Sequence, residues 1–472
     1  MKLLLQPKLL FLFTLLACCL NAYSQKFTDY LIQPEQSESH VLLREGRKDY
    51  GFGLNDSKGN LKWQLPVPGE PLGMGKSGNN VIVIYAEDHK IFRLIKVIHA
   101  MLVEPAKKKV LKDVVIYTNP GKMAIQPEIL KDPAGNLSSV LVRQTTLKEG
   151  TGGFGGFGNA GSYEESKTLT MIHLGDDLVS QTKDLKSISL GSDYIVSYAG
   201  SNNEIYVCSY SNGQLVTERF NGSGNKMSQL ATALSYRKKD HYNFVAEYDS
   251  LRENCFDLAF AYINEKKDRF IRLFRFDFNN KKTVITEPVI IDKDYLKTLK
   301  ADNPESKLNH FTSIKFLRPL QVLNTPDQTF LIKEIQTANA DSRGNVATYF
   351  RLGAVISVYS KDLKLIKDIP IDKISSNGLW GMNQIHGHVK GNKLYIVTNE
   401  KNGLGNQAVL YTINLDDLSM VSKNIPDPES GVNWLTTPDD VQWYNNNFLV
   451  PFERTKGSLK LKHNTEWASE NY

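Results

Sequence analysis

Seven short apolar runs recur along the chain, and they constrain its fold more than any other feature. Each run is rich in β-branched or aromatic residues and is approached through Gly, Asn, Asp or Gln, as a β-strand entered from a turn would be. The runs are 81–85, 139–142, 205–208, 243–246, 330–333, 394–397 and 447–450. Because they are nearly continuous rather than alternating, we expect neighbouring sheets to cover both faces of each strand.

Two turn motifs recur between these runs. The spacing D-x-x-G-N appears at 56–60, 132–136 and 341–345, each time followed by an aliphatic residue. Its Asp closes a turn through the side chain, and its Gly supplies a positive φ. An aliphatic run ending in Asp-Leu appears at 177–178, 362–363 and 417–418. These motifs predict hairpins in a repeated unit.

Self-similarity of this kind resembles the β-propeller, in which one four-stranded blade takes about 40–50 residues. Placing a unit just ahead of each run predicts seven units, starting near Leu72, Met123, Leu185, Met227, Phe311, Trp380 and Trp434. We therefore predict an all-β fold, a β-propeller of about seven four-stranded blades, with six or eight as alternatives. Candidate N-terminal strands at 40–44, 50–54 and 61–65 would complete the last blade and close the ring. The chain lacks the repeat patterns of WD40 and kelch propellers.

The first 24 residues have the pattern of a secretory signal peptide. A short segment with Lys2 and Lys8 precedes an apolar run over 9–20, and small residues stand at the cleavage positions Ala22 and Ser24. A lipid anchor at Cys18 is the alternative, because 15–18 loosely resembles a lipobox. We predict an exported protein, in the periplasm, secreted or at the cell surface, with one domain over 25–472.

Composition limits the partners of this domain. The net charge of +6 falls to +4 without the signal segment, which argues against a nucleic-acid partner. No later apolar run is long enough to span a membrane. Cys208 and Cys255 remain after cleavage, and both are expected in the core, with pairing left open. Helical spacing over 292–302 predicts a short helical insertion.

A glycine-rich segment at 150–163 contains the spacing G-x-G-x-x-G. A strand rather than a helix follows it, so the sequence predicts no dinucleotide and no other cofactor. We interpret the segment as a loop whose Phe154, Phe157 and Tyr163 are available to dock on a partner. No nucleophile, metalloprotease or P-loop motif occurs, and we predict no catalytic residues.

His386 and His388 flank a glycine, and on a strand they would point to the same side. We predict both as ligand-binding residues, and they are also candidates for a metal site, which would need a third ligand. Ordinary hydrogen-bonding roles are the alternative. Trp380 and Trp434 stand one repeat apart, each ahead of a first strand. Exposed indoles there would stack on a ligand, whereas buried ones would serve packing.

These features favour an exported binding or scaffold propeller that presents loops on one rim to a protein, peptide or glycan. The alternative is a carbohydrate-active or other hydrolytic enzyme with its site at the central channel. An enzyme would gather several carboxylates or histidines with shifted pKa values in the channel, whereas a binder would present exposed aromatic residues.

Overall fold

The structure is a computed structural model, and it describes most of the chain from Gln25 onward. The described residues are 25–33, 38–45, 49–88, 95–120, 123–148, 163–175, 177–188, 193–235, 243–264, 266, 268–304, 317–340, 346–371, 373, 375–377, 385–402, 405–427, 434–436, 438–454 and 465–472. The predicted signal segment, with Cys18, lies outside them.

The first half of the chain forms four antiparallel four-stranded sheets, each built from consecutive strands. Blade one comprises β1 (Gln25–Gln33), β2 (Glu38–Glu45), β3 (Asp49–Asn55) and β4 (Leu61–Val67); blade two β5 (Glu70–Ser77), β6 (Asn80–Asp88), β7 (Ile95–Glu104) and β8 (Lys109–Thr118); blade three β9 (Met123–Lys131), β10 (Leu137–Lys148), β11 (Tyr163–Leu174) and β12 (Ser180–Ile188); blade four β13 (Asp193–Ala199), β14 (Ile205–Ser211), β15 (Gln214–Phe220) and β16 (Lys226–Ala233).

The second half forms four more sheets, two of which carry an additional short strand. Blade five comprises β17 (Asn243–Tyr248), β18 (Cys255–Ile263), β19 (Arg269–Asp277), β20 (Lys282–Ile285) and β21 (Val289–Ile290); blade six β22 (Leu317–Asn324), β23 (Gln328–Ala340), β24 (Val346–Ser360), β25 (Leu365–Ile371) and β26 (Ser375–Asn377); blade seven β27 (Ile385–Lys390), β28 (Lys393–Asn402), β29 (Gly405–Asn414) and β30 (Met420–Ile425); blade eight β31 (Trp434–Thr436), β32 (Gln442–Trp443), β33 (Asn447–Arg454) and β34 (Thr465–Asn471).

The eight sheets are the blades of a β-propeller, with the first strand of each blade innermost. The first strands of blades one to seven contact one another in order around the ring. A carboxylate reinforces this inner ring, because Asp29 of β1 accepts hydrogen bonds from the Met74 backbone N–H of β5 and from Lys131 Nζ of β9, at 3.0 Å and 3.2 Å. The predicted propeller is confirmed, and the count is eight, the larger alternative, rather than seven.

The predicted closure by N-terminal strands is wrong. The three predicted strands, together with β1, form a complete blade one, and blade eight is built from C-terminal strands alone. In blade eight, β31 and β32 pair with one edge of β33 while β34 pairs with the other. The predicted unit starts at Leu185 and Met227 are also wrong, because these residues lie in β12 and β16, the outermost strands of blades three and four.

Blade eight packs directly against blade one and closes the ring. Ser39 donates a hydrogen bond to Gln442 Oε1 at 2.6 Å, and Asn447 Nδ2 donates to the Ser57 carbonyl at 3.3 Å. Trp467 packs against a small apolar cluster of blade one that contains the buried Val41. Side-chain contacts, rather than a strand shared between the two ends, therefore hold this junction.

The apolar runs are continuous because each sheet is buried on both sides. In β6, Val83 and Tyr85 belong to the core between blades one and two, whereas Ile82 and Ile84 belong to the core between blades two and three. Alternate residues of one strand thus enter two different cores, which removes the alternation typical of a half-exposed sheet.

The two recurring turn motifs adopt the conformations expected from their chemistry. In the turns at 56–60 and 132–136, Gly59 and Gly135 both have φ +82°, and each Asp accepts a hydrogen bond from the backbone N–H four residues later. The copy at 341–345 lies outside the described residues. In the Asp-Leu motif the leucine itself is left-handed, with φ of 62°, 59° and 57° at Leu178, Leu363 and Leu418. The apolar contacts of these leucines offset the strain of that conformation.

A helix, α1 (Lys293–Asp302), packs on blade six within the segment whose spacing is helical. Asp292 caps its N-terminus by accepting hydrogen bonds from two backbone N–H groups. Tyr295 donates a hydrogen bond to Asp368 of β25 at 2.9 Å, and the fully buried Lys333 lies 3.5 Å from the same carboxylate. Burial lowers the pKa of Lys333 and raises that of Tyr295.

Short 3-10 helices occur at Pro105–Lys107, Ser201–Asn203 and Pro438–Asp440. No helix of the described residues is long and apolar enough to cross a membrane. Cys208 and Cys255 are both buried, and they do not form a disulfide with each other.

Candidate functional site

One face of the disc collects the sequence features that suggested binding. The first strand of each blade enters from this face, and the turns between second and third strands return to it. The 150–163 segment connects such a pair, β10 and β11, and Trp434 is the first residue of β31. We call this face the entry face.

The structure gives side-chain contacts for two of the predicted site residues. Trp380, Phe154 and Phe157 lie outside the described residues, as do the side chains of Trp434 and Tyr163, which begin β31 and β11. Ligand binding by these five residues stays a prediction. His386 and His388 are fully described.

His386 and His388 lie on β27, the inner strand of blade seven, and both face blade eight. The ring of His388 stacks on Trp443 with centroids 4.9 Å apart, and Trp443 Nε1 donates a hydrogen bond to His386 Nδ1 at 3.2 Å. Tyr472 lies against the same cluster, and Lys390 Nζ sits 3.6 Å from the centroid of its ring. The two imidazoles therefore pack the junction between two blades.

The intervening Gly387 faces the opposite neighbour, blade six. Gln321 of β22 makes two hydrogen bonds with its backbone, accepting from the N–H at 2.8 Å and donating to the carbonyl at 3.0 Å. A Cβ at this position would lie 2.6 Å from Ile332 Cδ1. Packing between blades thus requires glycine between the two histidines.

Burial keeps both imidazoles uncharged at neutral pH. Burial and, to a smaller extent, His388 lower the pKa of His386 to about 4, and burial with the charge of Lys390 lowers the pKa of His388 to about 4. Neutral imidazoles are competent metal ligands. No group of three or more potential metal-binding side chains occurs among the described residues. A metal at these histidines stays a prediction that needs a ligand from elsewhere.

A groove lies between blades four and five. Its volume is about 340 Å³, within the range of about 300–1,000 Å³ typical of small-molecule sites. Blade four contributes the end of β16, and blade five contributes β18, β19 and the turn between them. The lining residues are Ala233, Leu234, Ser235, Tyr262, Asn264, Lys266, Phe270, Arg272 and Pro288.

Strand register brings aromatic rings together in this groove. Tyr262 of β18 is directly opposite Phe270 of β19, and Phe260 is opposite Arg272. The rings of Tyr262 and Phe270 are stacked at 5.5 Å with 29° between their planes, and Phe260 continues the stack behind Tyr262 at 5.7 Å. The result is an aromatic surface beside a guanidinium, facing the end of the neighbouring blade.

The groove is positively charged. Lys266 is exposed at the turn, and Arg272 is partly buried in the wall. Among the described residues Arg272 Nε has no hydrogen-bond partner, although this atom is buried. Burial raises the pKa of Tyr262, an effect that the charge of Arg272 opposes. A buried donor without a partner carries an energetic cost.

The inner ring holds a second group of titratable side chains, at β17 of blade five. Tyr198 of β13 donates a hydrogen bond to Glu247 at 3.1 Å, and burial, together with the carboxylates of Asp257 and Asp249, raises the pKa of Glu247 to about 7. Asp257 is fully buried and binds Arg275 through two hydrogen bonds of 2.8 Å.

Sequence reasoning missed both the groove and Glu247. The groove residues are up to 55 positions apart, and only the register of β18 with β19 pairs Tyr262 with Phe270. The available signal was the density of Phe, Tyr and Arg over 256–276, which no motif or spacing describes. The prediction of no catalytic residue is untested by this geometry.

No protein-family model matches the chain, and no curated protein matches it. Solved structures of propeller proteins do match. An oligogalacturonate lyase in complex with manganese is 10% identical, covering 95% of this chain and 90% of its own, with a TM-score of 0.42. BamB from Moraxella catarrhalis is 8% identical over 95% and 99%, with a TM-score of 0.40. The β-propeller domain of the trilobed protease from Pyrococcus furiosus is 7% identical over 85% and 94%, with a TM-score of 0.39. At identities this low, the similarity concerns the fold and not the function.

Proposed function

We propose that this chain is an exported, non-catalytic binding propeller whose ligand, a protein, peptide or glycan, occupies the groove between blades four and five. The proposed export depends on the signal-like pattern of the first 24 residues. Entry-face loops, including the segment at 150–163, would extend the contact with a large ligand.

The observation that carries the proposal is the combination of an aromatic wall and an arginine without a partner among the described residues in one cavity. Phe270, which is partly exposed and stacks on the buried Tyr262, offers apolar surface to a ligand, and Arg272 offers a positive charge. Binding sites generally combine apolar walls with a few placed polar groups. The groove combines both kinds of surface in about equal shares and needs no rearrangement of the blades.

The carboxylates of the inner ring support binding over hydrolysis. Hydrolysis of glycosides generally needs two carboxyl groups that are free to act on one bond. Near Glu247, however, Asp257 is held by Arg275, and Asp249 accepts a hydrogen bond from Arg252. These ion pairs leave Glu247 without a second free carboxyl partner in this cluster.

Binding to a panel of oligosaccharides and peptides tests the proposal. We expect the purified chain to bind at least one class of ligand, and we expect Phe270→Ala and Ser235→Trp each to weaken that binding at least about ten-fold, equivalent to about 1.4 kcal/mol. The first removes aromatic surface and the second fills the groove. Lys282→Gln, an exposed site on β20 of the same blade and outside the groove, is the matched control.

The expected control result is an affinity within about two-fold of the unaltered protein. Circular dichroism and thermal unfolding of each variant show that the fold is retained. Binding that neither groove variant weakens would refute the proposal, and so would turnover of a bound ligand detected by mass spectrometry.

A further inference from the structure

We infer that the ligand of this groove is a carboxylate-bearing sugar, presented by an anionic glycan. The inference rests on the proposed function and specifies its ligand. Three properties of the groove support it: the sign of its charge, the shape of its aromatic surface and the unpaired donor of Arg272.

The charge of the groove selects an anion. Two of its nine lining residues, Lys266 and Arg272, are cationic, and no Asp or Glu is among them. Elsewhere in the described residues, buried or half-buried arginines are paired, as Arg219 is with Glu204 and Arg275 with Asp257. Arg272 lines the groove beside Tyr262 and Phe270 without such a partner among the described residues, and a ligand carboxylate would supply one.

A carboxylate fits Arg272 better than a point anion does. The guanidinium is a planar fork that binds a carboxylate through two parallel hydrogen bonds. Arg272 is partly buried and lines the groove, and its Nε has no partner among the described residues. A carboxylate bound in the groove would lie beside this guanidinium and pair with its charge.

The aromatic surface favours a sugar ring over a peptide. Tyr262 and Phe270 stack on each other and both line the groove. Tyr262 is buried whereas Phe270 is partly exposed, so the ring of Phe270 provides the platform that a sugar would contact. The negative faces of aromatic rings attract the weakly positive C–H groups on one side of a sugar ring. Peptides are more often bound by pairing with a strand edge or by a helix-shaped groove. The cavity of about 340 Å³ is small for a folded partner.

Calorimetric titration of the full chain with matched pairs of tetrasaccharides tests the inference. One member of each pair is a uronate (galacturonate, glucuronate or mannuronate), and the other is the neutral hexose tetramer with the same ring configuration. We expect at least one uronate to bind about ten-fold more tightly than its neutral partner. We also expect this preference to shrink as salt rises from 50 to 500 mM, because ions screen the groove charge.

Substitutions at one position separate charge from packing. Arg272→Gln should reduce the preference for the uronate to within about three-fold, whereas Arg272→Lys, which keeps the charge but loses the planar fork, should retain only part of the preference. Phe270→Ala should weaken both members of a pair, because it removes the platform that they share. Lys282→Gln should change neither.

The outcomes distinguish the inference from the function on which it rests. Equal affinity for charged and neutral members, an unchanged preference in Arg272→Gln, or groove-dependent binding of a peptide in place of any glycan would overturn the inference and leave the binding function intact. Loss of all groove-dependent binding across sugars and peptides would overturn both.

Discussion

Glu247 allows the electrostatics of the inner ring to be tested through protein stability. This carboxyl is mostly buried, accepts a hydrogen bond from Tyr198 at 3.1 Å and has a pKa of about 7. Asp257 is its direct cross-strand neighbour, and Asp249 lies two residues further along the chain. The perturbation is Glu247→Gln, which preserves the shape and a hydrogen-bond acceptor but removes the titrating group.

The sign and size of the effect follow from proton linkage. The pKa of Glu247 rises from 4.5 in the unfolded chain to about 7 in the folded one. Between these values the folded state holds a proton that the unfolded state has released, so the free energy of unfolding falls as pH rises. Each pKa unit corresponds to about 1.4 kcal/mol, which gives a loss of about 2.5 kcal/mol between pH 5 and pH 8.

We therefore expect the free energy of unfolding of Glu247→Gln, relative to that of the unaltered protein, to increase by about 2.5 kcal/mol as pH rises from 5 to 8. Urea denaturation at pH 5, 6, 7 and 8 measures the difference, and other titrating groups cancel between the two proteins. Glu70→Gln, at an exposed residue that begins the inner strand β5, is the control and should show no such trend. A difference between Glu247→Gln and the unaltered protein that stays constant across this pH range would refute the reasoning.

Three further predictions concern the contacts that hold the blades. Arg275→Met should cost about 3–5 kcal/mol of unfolding free energy, because it leaves the buried Asp257 carboxylate unpaired; adding Asp257→Leu should recover most of the loss, and equal instability in the double variant would contradict this. Gly387→Ala should lower the free energy of unfolding by about 1–3 kcal/mol in urea denaturation, because the added methyl group contacts blade six. An unchanged free energy would contradict the prediction and show that the two blades can move apart to accept a methyl group. Leu363→Gly should lower the free energy of unfolding by about 2 kcal/mol, because this leucine is buried. Leu418→Gly, at a less buried copy of the same turn, should change it by less than about 1 kcal/mol, because relief of the left-handed strain offsets the smaller loss of burial. Equal effects of the two variants in thermal unfolding would contradict this reasoning.

The strands were predictable because burial on both faces gives a strand a short, nearly continuous apolar run in the sequence. Six of the seven apolar runs lie in the strand that pairs with the innermost position of a blade, where both faces enter a core. The run at 243–246 is the exception, because it lies in β17, a first strand. Each predicted unit begins just ahead of a run. A run that lies in a first strand therefore places the predicted start of its unit in the preceding blade, at Met227.

The blade count required information that the pattern lacks. The second strand of blade one, β2, has only Val41 to Leu43 as its apolar centre, which is too short to distinguish it from a closing strand. In blade five, the second strand β18 contains Asp257, and this charge interrupts the apolar run. Its tolerance in the core depends on Arg275, a partner that only the folded register identifies.

The site was harder to predict than the fold for a related reason. His386 and His388 were conspicuous as a motif, and in the structure they pack against Trp443 of the next blade. Tyr262 and Phe270 belong to ordinary strand sequence and meet only by pairing across a turn. Spacing along a chain reveals residues on one strand, whereas grooves are assembled from several.

Every blade is made from one uninterrupted stretch of chain, and this has a consequence for how the ring can be rebuilt. With no strand exchanged between the two ends, a gene that starts at any blade boundary and joins the present termini through a linker would encode the same eight sheets. Such circular permutants should fold to the same disc, with the junction between Ser39 and Gln442 becoming an ordinary internal one. The gene, rather than the architecture, would then determine which two blades meet at the chain termini.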